Sequence, residues 1–295
     1  MSSENLKSQI RNFWNENPCG SKFAKVEVGS KEFFDQVEQH RYLTEWHIPE
    51  MLNFPAWAGK KVLEVGCGLG TDAISFARAG AKYTGIDLTP RSIELVKRRF
   101  LQENLSADLQ VADAETLPFD DNTFDLTYSH GVLHHTPNTH QAINELHRVL
   151  KPGGKAMVML YHKHSYNYYG NIMLFRKLGA KILYYDWGPE LVNRVTGEDL
   201  AALKRLQSDL RQNPRKFFSS EEFLNQNTDG AGNPLAKVYT REEGKQLFAK
   251  FSEVDTEVRF LNKRWIPLLG RFLPRSLESP MSKLWGWHLW IIGRK

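Results

Sequence analysis

Lys61-Val-Leu-Glu-Val-Gly-Cys-Gly-Leu-Gly-Thr-Asp72 is the stretch on which the reading of this chain turns. An apolar run of the kind that forms a buried strand ends in Gly66, Gly68 and Gly70, and a helix is expected to open at Thr71. Glycines in such a turn let the backbone approach a ligand closely, and the free N–H groups of a helix N-terminus suit an anion. Many nucleotide-binding folds use a strand–glycine–helix signal. Here it is strengthened by acidic residues at three expected strand ends: Glu64, Asp87 and Asp113.

The GxGxG spacing departs from the GxGxxG of nicotinamide-binding folds, which disfavours a dehydrogenase. With Glu64 before it, the turn resembles motif I of the class I S-adenosylmethionine-dependent methyltransferases. The resemblance runs through most of residues 60–161. Tyr83-Thr-Gly-Ile-Asp87 is similar to the second strand, whose terminal acid binds the ribose hydroxyls. Val111-Ala-Asp-Ala-Glu-Thr-Leu-Pro-Phe119 is similar to the adenine-binding segment. Phe124-Asp-Leu-Thr-Tyr-Ser-His130 resembles motif IV, and His147-Arg-Val-Leu-Lys-Pro-Gly-Gly154 the turn into strand five. Gly131-Val-Leu-His-His-Thr-Pro137 resembles the branch that holds quinone and sterol methyltransferases.

The resemblance implies an α/β, Rossmann-like class I methyltransferase fold. Its sheet would have seven strands, mostly parallel with an antiparallel last strand, and a helical cap insertion. It also implies S-adenosylmethionine as cofactor. The implied contacts are Glu64, Gly66, Gly68, Gly70, Asp87, Leu88, Asp113, Ala114 and Ser129, with Asp87 on the ribose and Asp113 on the adenine amine. A solvated loop position or a helix cap is the plainer reading of each acid taken singly.

The expected organisation has four parts: an N-terminal helical cap (1–58), the cofactor-binding core (59–161), an inserted helical lid (162–239) and a C-terminal return to the core sheet (240–295). Ser2 or Ser3 can cap a first helix in which Leu6, Ile10, Phe13 and Trp14 recur at helical spacing. A second helix is expected from Lys31 to about Met51. Arg41, Tyr42 and Trp46 on it are candidates for the acceptor pocket, with packing against the sheet as the alternative role. Thr89-Pro90 reads as an N-cap followed by proline at the first helical position. Asn138 can cap another helix, and Lys151-Pro-Gly-Gly154 follows its end. Strand five is expected at Ala156–Leu160, then a lid rich in tyrosine, including Tyr166, Tyr168, Tyr169, Tyr184 and Tyr185. Thr240-Arg-Glu-Glu243 reads as a capping box, with strands to follow at 253–260 and 287–292.

Charge is unevenly spread over the net +5: residues 61–150 carry 8 Lys/Arg against 12 Asp/Glu, residues 151–220 carry 12 against 5, and residues 259–295 carry 8 against 1. The basic excess outside the core could attract an anionic substrate, nucleic acid or an acidic lipid surface, or simply keep the protein soluble. The opening Met-Ser-Ser-Glu-Asn-Leu-Lys lacks a basic-then-apolar signature, and no apolar run nears the roughly 20 residues of a membrane span. A soluble cytoplasmic protein is expected, its oligomeric state unspecified. Cys19 and Cys67 supply neither a disulfide framework nor a metal site, and the histidines lack the partners or spacing of one, so no metal is expected. Trp265, Trp285, Trp287 and Trp290, set among Lys263, Arg264, Arg271, Arg275 and Lys283, suit either strand packing or a transient membrane contact over 261–285.

For chemistry, His130 at the end of strand four and His162 after strand five are the candidate general bases, with His164 a further acceptor-pocket candidate. The expected activity is methyl transfer by in-line displacement to a small aromatic, quinone-like or lipid-like acceptor. RNA or protein methylation and a non-catalytic cofactor-binding scaffold are the alternatives. Nucleic acid is disfavoured because no RNA-binding module is present and His130-Gly-Val-Leu133 stands where an NPPY-type tetrad would.

Overall fold

A computed structural model describes residues 3–197, 199–230, 232–262, 266 and 270–295. Ser2, Lys263, Arg264 and Trp265, named above as a cap and as part of the basic aromatic tail, lie outside the described residues.

Seven strands form one sheet in the order β3-β2-β1-β4-β5-β7-β6. They are β1 (Lys61–Val65), β2 (Lys82–Asp87), β3 (Asp108–Val111), β4 (Phe124–His130), β5 (Leu150–Tyr161), β6 (Ser252–Arg259) and β7 (His288–Arg294). The strands from β3 to β5 pair in parallel. Only β7 runs the other way, antiparallel to β5 on one side and β6 on the other. The expected fold class is therefore met. Strand β5 is longer than expected because Lys151–Gly154 swell out between the pairs Phe124↔Leu150 and Leu126↔Lys155. Helix α13 (Arg275–Trp285) stands between β6 and β7, so these two strands pair without a tight hairpin.

The parallel crossovers place α4 (Thr71–Arg78), α5 (Pro90–Gln102) and α6 (Thr139–Val149) on the sheet, and α12 (Arg241–Leu247) joins them. Their starts are chemically specified. Thr89 Oγ1 accepts from Ser92 N, Asn138 Oδ1 from Gln141 N, and Thr240 and Glu243 satisfy each other's backbone in a full capping box. One face of the sheet packs Val62, Phe76, Val96, Tyr128 and Trp290 into the larger core, and the other packs Leu63, Leu146, Val158 and Ile291.

The helix expected over residues 31–51 is two helices, α2 (Lys31–Thr44) and α3 (His47–Leu52). Pro49 explains the break, since a proline ring clashes with the carbonyl four residues earlier, here that of Glu45, and offers no N–H to it. Glu45 leaves the helical region at φ −107°, ψ 47° and becomes the C-cap of α2. Phe33, Phe34 and Val37 of α2 pack on Leu69 and Leu95, which fastens this segment to the glycine turn. Helix α1 (Ser3–Glu16) reaches the ends of the parallel strands through Lys7 and Trp14.

Between β5 and α12 the chain forms a π-helix (Asn167–Arg176) continuing into α7 (Lys177–Gly179), then α8 (Gly188–Thr196), α9 (Leu200–Gln212), α10 (Pro214–Phe217) and α11 (Ser220–Thr228). Leu203, Leu206, Leu210, Phe217 and Phe223 give these helices a buried side continuous with the larger core. Among the described residues no helix is long and apolar enough to cross a membrane.

Candidate functional site

The glycine turn leaves β1 with Gly66 and Cys67 both donating to the Ile86 carbonyl, at 2.8 and 3.0 Å. Gly66 sits at φ 82°, and a Cβ there would lie 2.2 Å from a methyl of Val132. No larger residue fits. Gly68, also left-handed at φ 53°, is different: a Cβ added to it meets nothing within 4 Å. The turn is thus tightly packed at Gly66 and open at Gly68, the arrangement needed for backbone to line a ligand.

Asp87, at the end of β2, braces the turn. Its carboxylate accepts from Gly68 N at 3.0 Å, Thr89 N at 2.9 Å and Thr89 Oγ1 at 2.8 Å. Burial raises its pKa, and those three donors pull the other way. Glu64 lies beneath, buried, and accepts from the Tyr83 hydroxyl at 2.6 Å. Burial, then the nearby Asp72 carboxylate, holds Glu64 well above the usual carboxylate range. Leu88 and Ala114 are half-buried just beyond β2 and β3. Asp113 accepts from Lys7 Nζ at 2.6 Å and from Glu115 N at 2.9 Å. Ser129 is fully buried and donates to the Val65 carbonyl at 2.9 Å, so its hydroxyl braces β4 against β1 and is turned away from the ligand role expected of it.

The expected pocket residues Arg41 and Tyr42 meet Asp72, the second residue of α4. This buried carboxylate accepts from Arg41 Nη2 at 2.7 Å, Tyr128 Oη at 2.8 Å and Tyr42 Oη at 3.0 Å. Trp46 is half-buried, edge-on to His47 at 6.3 Å between ring centres. Arg41 Nη2 also lies 3.2 Å from His130 Nδ1. Beyond it, His130 Nε2 and Glu45 Oε2 are 3.8 Å apart. His288 of β7 packs edge-on to His130, and its Nδ1 is 3.2 Å from His47 Nε2. Trp290 closes on the same ring at 5.3 Å.

A neighbouring group faces these residues. Tyr161 donates to Asp229 at 2.7 Å, and His135 Nδ1 donates to the Leu235 carbonyl while its Nε2 stands 3.3 Å from Asp229 Oδ2. His134 stacks on Tyr161. Cys19, from the segment between α1 and α2, lies within the electrostatic reach of Asp229, Arg41 and Glu45, so the two groups adjoin and together form the candidate chamber. Burial pushes His130, His134 and His288 well below the ordinary imidazole value, and His47 to about 3.

His162 and His164 are not brought to this chamber. His162 is buried with Nδ1 at 3.1 Å from the Gly286 carbonyl, and burial lowers its pKa to about 4. His164 is exposed, stacked near Tyr169. Glu45, His47, Asp72, Asp229 and His288 stand in or beside the chamber without having been singled out from the sequence. For Glu45 a signal existed in Pro49; for the others no local pattern marks them.

One ligand atom each from Glu45, His130 and His288 fall within 4.8 Å of one another. Spacing alone would suit a metal ion. Arginine only donates, however, so Arg41 makes His130 Nδ1 an acceptor and leaves the ring proton on Nε2. Neither nitrogen then presents a free lone pair.

A model of the methyltransferase-domain family matches residues 63–158, the span that holds the glycine turn, Asp87, Asp113 and His130. This stretch is thus similar to a methyltransferase domain. Its relatives include a sterol 4-C-methyltransferase of Caenorhabditis elegans, 38% identical over 114 residues (38% of this chain, 34% of that one). They also include the phthiotriol/phenolphthiotriol dimycocerosates methyltransferase of Mycobacterium tuberculosis, 43% identical over 98 residues (32% and 36%). The chain thus spans about a third of the length of these curated relatives. In fold, the chain matches a solved S-adenosylmethionine-dependent methyltransferase of Thermotoga maritima at TM-score 0.51 and 17% identity, covering 98% of this chain and 99% of the other. The family and fold imply S-adenosylmethionine use.

Proposed function

We propose that the protein transfers a methyl group from S-adenosylmethionine to a small-molecule acceptor held in the chamber between α2–α3, the ends of β4, β5 and β7, and the inserted helices. The observation that carries this reading is the open face of Gly68 beside Asp87. A backbone N–H and a carboxylate are held together there by a 3.0 Å hydrogen bond, with free space where a side chain would otherwise project. The residues fit the donor: Gly66–Gly70 backbone for its methionine portion, Asp87 for the ribose hydroxyls, Asp113 and the Ala114 N–H for the adenine, and Glu64 as a support beneath the turn. When bound, the donor supplies a methyl group already activated on a sulfonium. The work left to the chain is alignment and exclusion of water, and alignment alone can contribute up to roughly 7–11 kcal/mol.

The chamber supports an uncharged organic acceptor. Tyr161, Trp287 and Trp290 provide aromatic walls, and its histidines are neutral. The sterol and phthiotriol substrates named for the two relatives point the same way. The four-part organisation suits this reading, with residues 1–58 and 162–239 covering a core built from 59–161 and 240–295.

Calorimetry with S-adenosylhomocysteine tests the donor site. Binding is expected, with a loss of at least tenfold in Asp87→Ala; a folded protein that gives no heat with either this compound or the donor removes the reading. Labelled-methyl incorporation into fractionated cell extract tests the acceptor class, and label confined to RNA or protein would replace small-molecule methylation with its competitor.

A further inference from the structure

We infer that Glu45 and His130 together receive a hydroxyl group of the acceptor, Glu45 taking its proton and His130 donating to its oxygen, so that the reaction is an O-methylation. This rests on the methyltransferase reading above and names the acceptor chemistry it leaves open.

Arg41 has only N–H groups to offer, and Nη2 stands 3.2 Å from His130 Nδ1. His130 must accept there, so its single proton is on Nε2. Arg41 is itself fixed by Asp72 at 2.7 Å. His130 therefore acts as a neutral donor, and the general-base role expected of it passes to a different residue.

That donor faces the Glu45 carboxylate. His130 Nε2 and Glu45 Oε2 are both buried, and neither has a hydrogen-bond partner among the described residues. Their separation of 3.8 Å is too long for a direct hydrogen bond and suits an intervening group that bonds to both. Buried polar atoms left without partners are costly, so the pair selects a ligand that satisfies them. The ligand must donate to the carboxylate and accept from the imidazole N–H. A hydroxyl does both with one atom. An ammonium cannot accept and would meet the Arg41 charge, and a carbon nucleophile uses neither partner. Burial raises the Glu45 pKa above the ordinary carboxylate range, with Arg41 opposing, which brings it closer to a useful base.

The step balances without an oxidant or reductant. The hydroxyl proton moves to the Glu45 carboxylate, and an oxygen lone pair forms the new O–CH3 bond. The C–S bond of the sulfonium breaks with its electrons returning to sulfur, leaving a neutral thioether. His130 stays neutral throughout. His47 is a positioning residue, orienting His288 beside the His130 ring.

Two measurements on the full chain decide the matter. Nitrogen NMR of histidine-labelled protein bound to S-adenosylhomocysteine is expected to show His130 protonated on Nε2 with Nδ1 as acceptor; a proton on Nδ1 overturns the pairing. Labelled methyl transfer to a small-metabolite extract is expected to give an O-methyl product. In Glu45→Gln the rate should fall 10²–10⁴-fold with S-adenosylhomocysteine affinity unchanged, and in Glu45→Asp partial activity should return with an altered pH profile. Methyl on carbon, nitrogen or sulfur, or a Glu45→Gln rate within threefold of the parent, overturns the pair while leaving the methyltransferase intact. No transfer at all by the unaltered protein would remove both.

Discussion

Lys7 donates to Asp113 at 2.6 Å, tying the first helix of the chain to the end of β3, and the same ammonium reaches Glu115 at 2.6 Å. These side chains are roughly a tenth to a quarter exposed, so the bridge is worth about 1 kcal/mol or less. It nonetheless occupies one oxygen of Asp113, the residue proposed for the adenine amine. Lys7→Ala should therefore leave the melting temperature almost unchanged, speed amide exchange in α1, and tighten S-adenosylhomocysteine binding by up to about fivefold. Calorimetry showing weaker binding would mean that Lys7 assists the ligand.

Two glycines of one turn should fail in different ways. Gly66→Ala combines a left-handed φ with a 2.2 Å clash on Val132 and should cost about 2–5 kcal/mol, visible as a large drop in the denaturation midpoint. Gly68→Ala meets no atom and should cost only about 1–2 kcal/mol of backbone strain, yet its methyl enters the ligand space. Its expected defect is a loss of S-adenosylhomocysteine binding in a folded protein. Equal destabilisation by the two substitutions would contradict this division.

Asp72 holds Arg41, Tyr42 and Tyr128 at once. Asp72→Asn leaves Arg41 with only the more distant Glu45 carboxylate, at 3.8 Å, as counter-charge, and breaking a buried pair of this kind costs about 3–5 kcal/mol. Removing both charges in Asp72→Asn with Arg41→Met should recover part of that loss in urea unfolding. Additive losses would show that the two residues do not act as a pair.

Acid should destabilise the fold before most carboxylates titrate. His47 and His162 have folded-state values of about 3 and 4, and burial pushes His130, His134 and His288 well below normal. An unfolded histidine takes a proton near pH 6.5, so between that pH and the depressed folded value the unfolded chain binds more protons than the folded one. Stability from these groups is complete above about pH 6.5 and is lost as pH falls, by up to about 1.4 kcal/mol per pH unit for each fully buried histidine. Denaturant midpoints at pH 7.5, 6 and 5 should fall in that order; a flat profile would show that these rings take up protons in the fold as readily as in the unfolded chain.

Much of the architecture was legible because its signals are local. The glycine turn, the Thr89-Pro90 cap, the Asn138 cap and the Thr240–Glu243 box each span a few residues and depend on no distant partner. The positions of Asp87 and Asp113 at or just past strand ends were legible for the same reason, each following a short strand. What could not be read depends on strand order or on contacts across the chain. His288 and Trp290 reach the chamber only because β7 lies between β5 and β6. Lys7 and Asp113 are 106 positions apart. Glu45 was hidden inside an apparently continuous helical pattern, and Pro49 was the residue that should have divided it. His162 was misplaced because the end of β5 turns that ring toward Gly286.

The placement of β7 also has a bearing on biosynthesis. A nascent chain translated at about 5–20 residues per second presents His130 roughly 8–30 s before His288. The half of the site built on β1 to β4 can therefore condense while the opposite wall of the chamber has yet to emerge. The proposed donor site and the proposed acceptor chamber would thus be assembled as separate events, the second waiting on the strand that slots between two others already in hand.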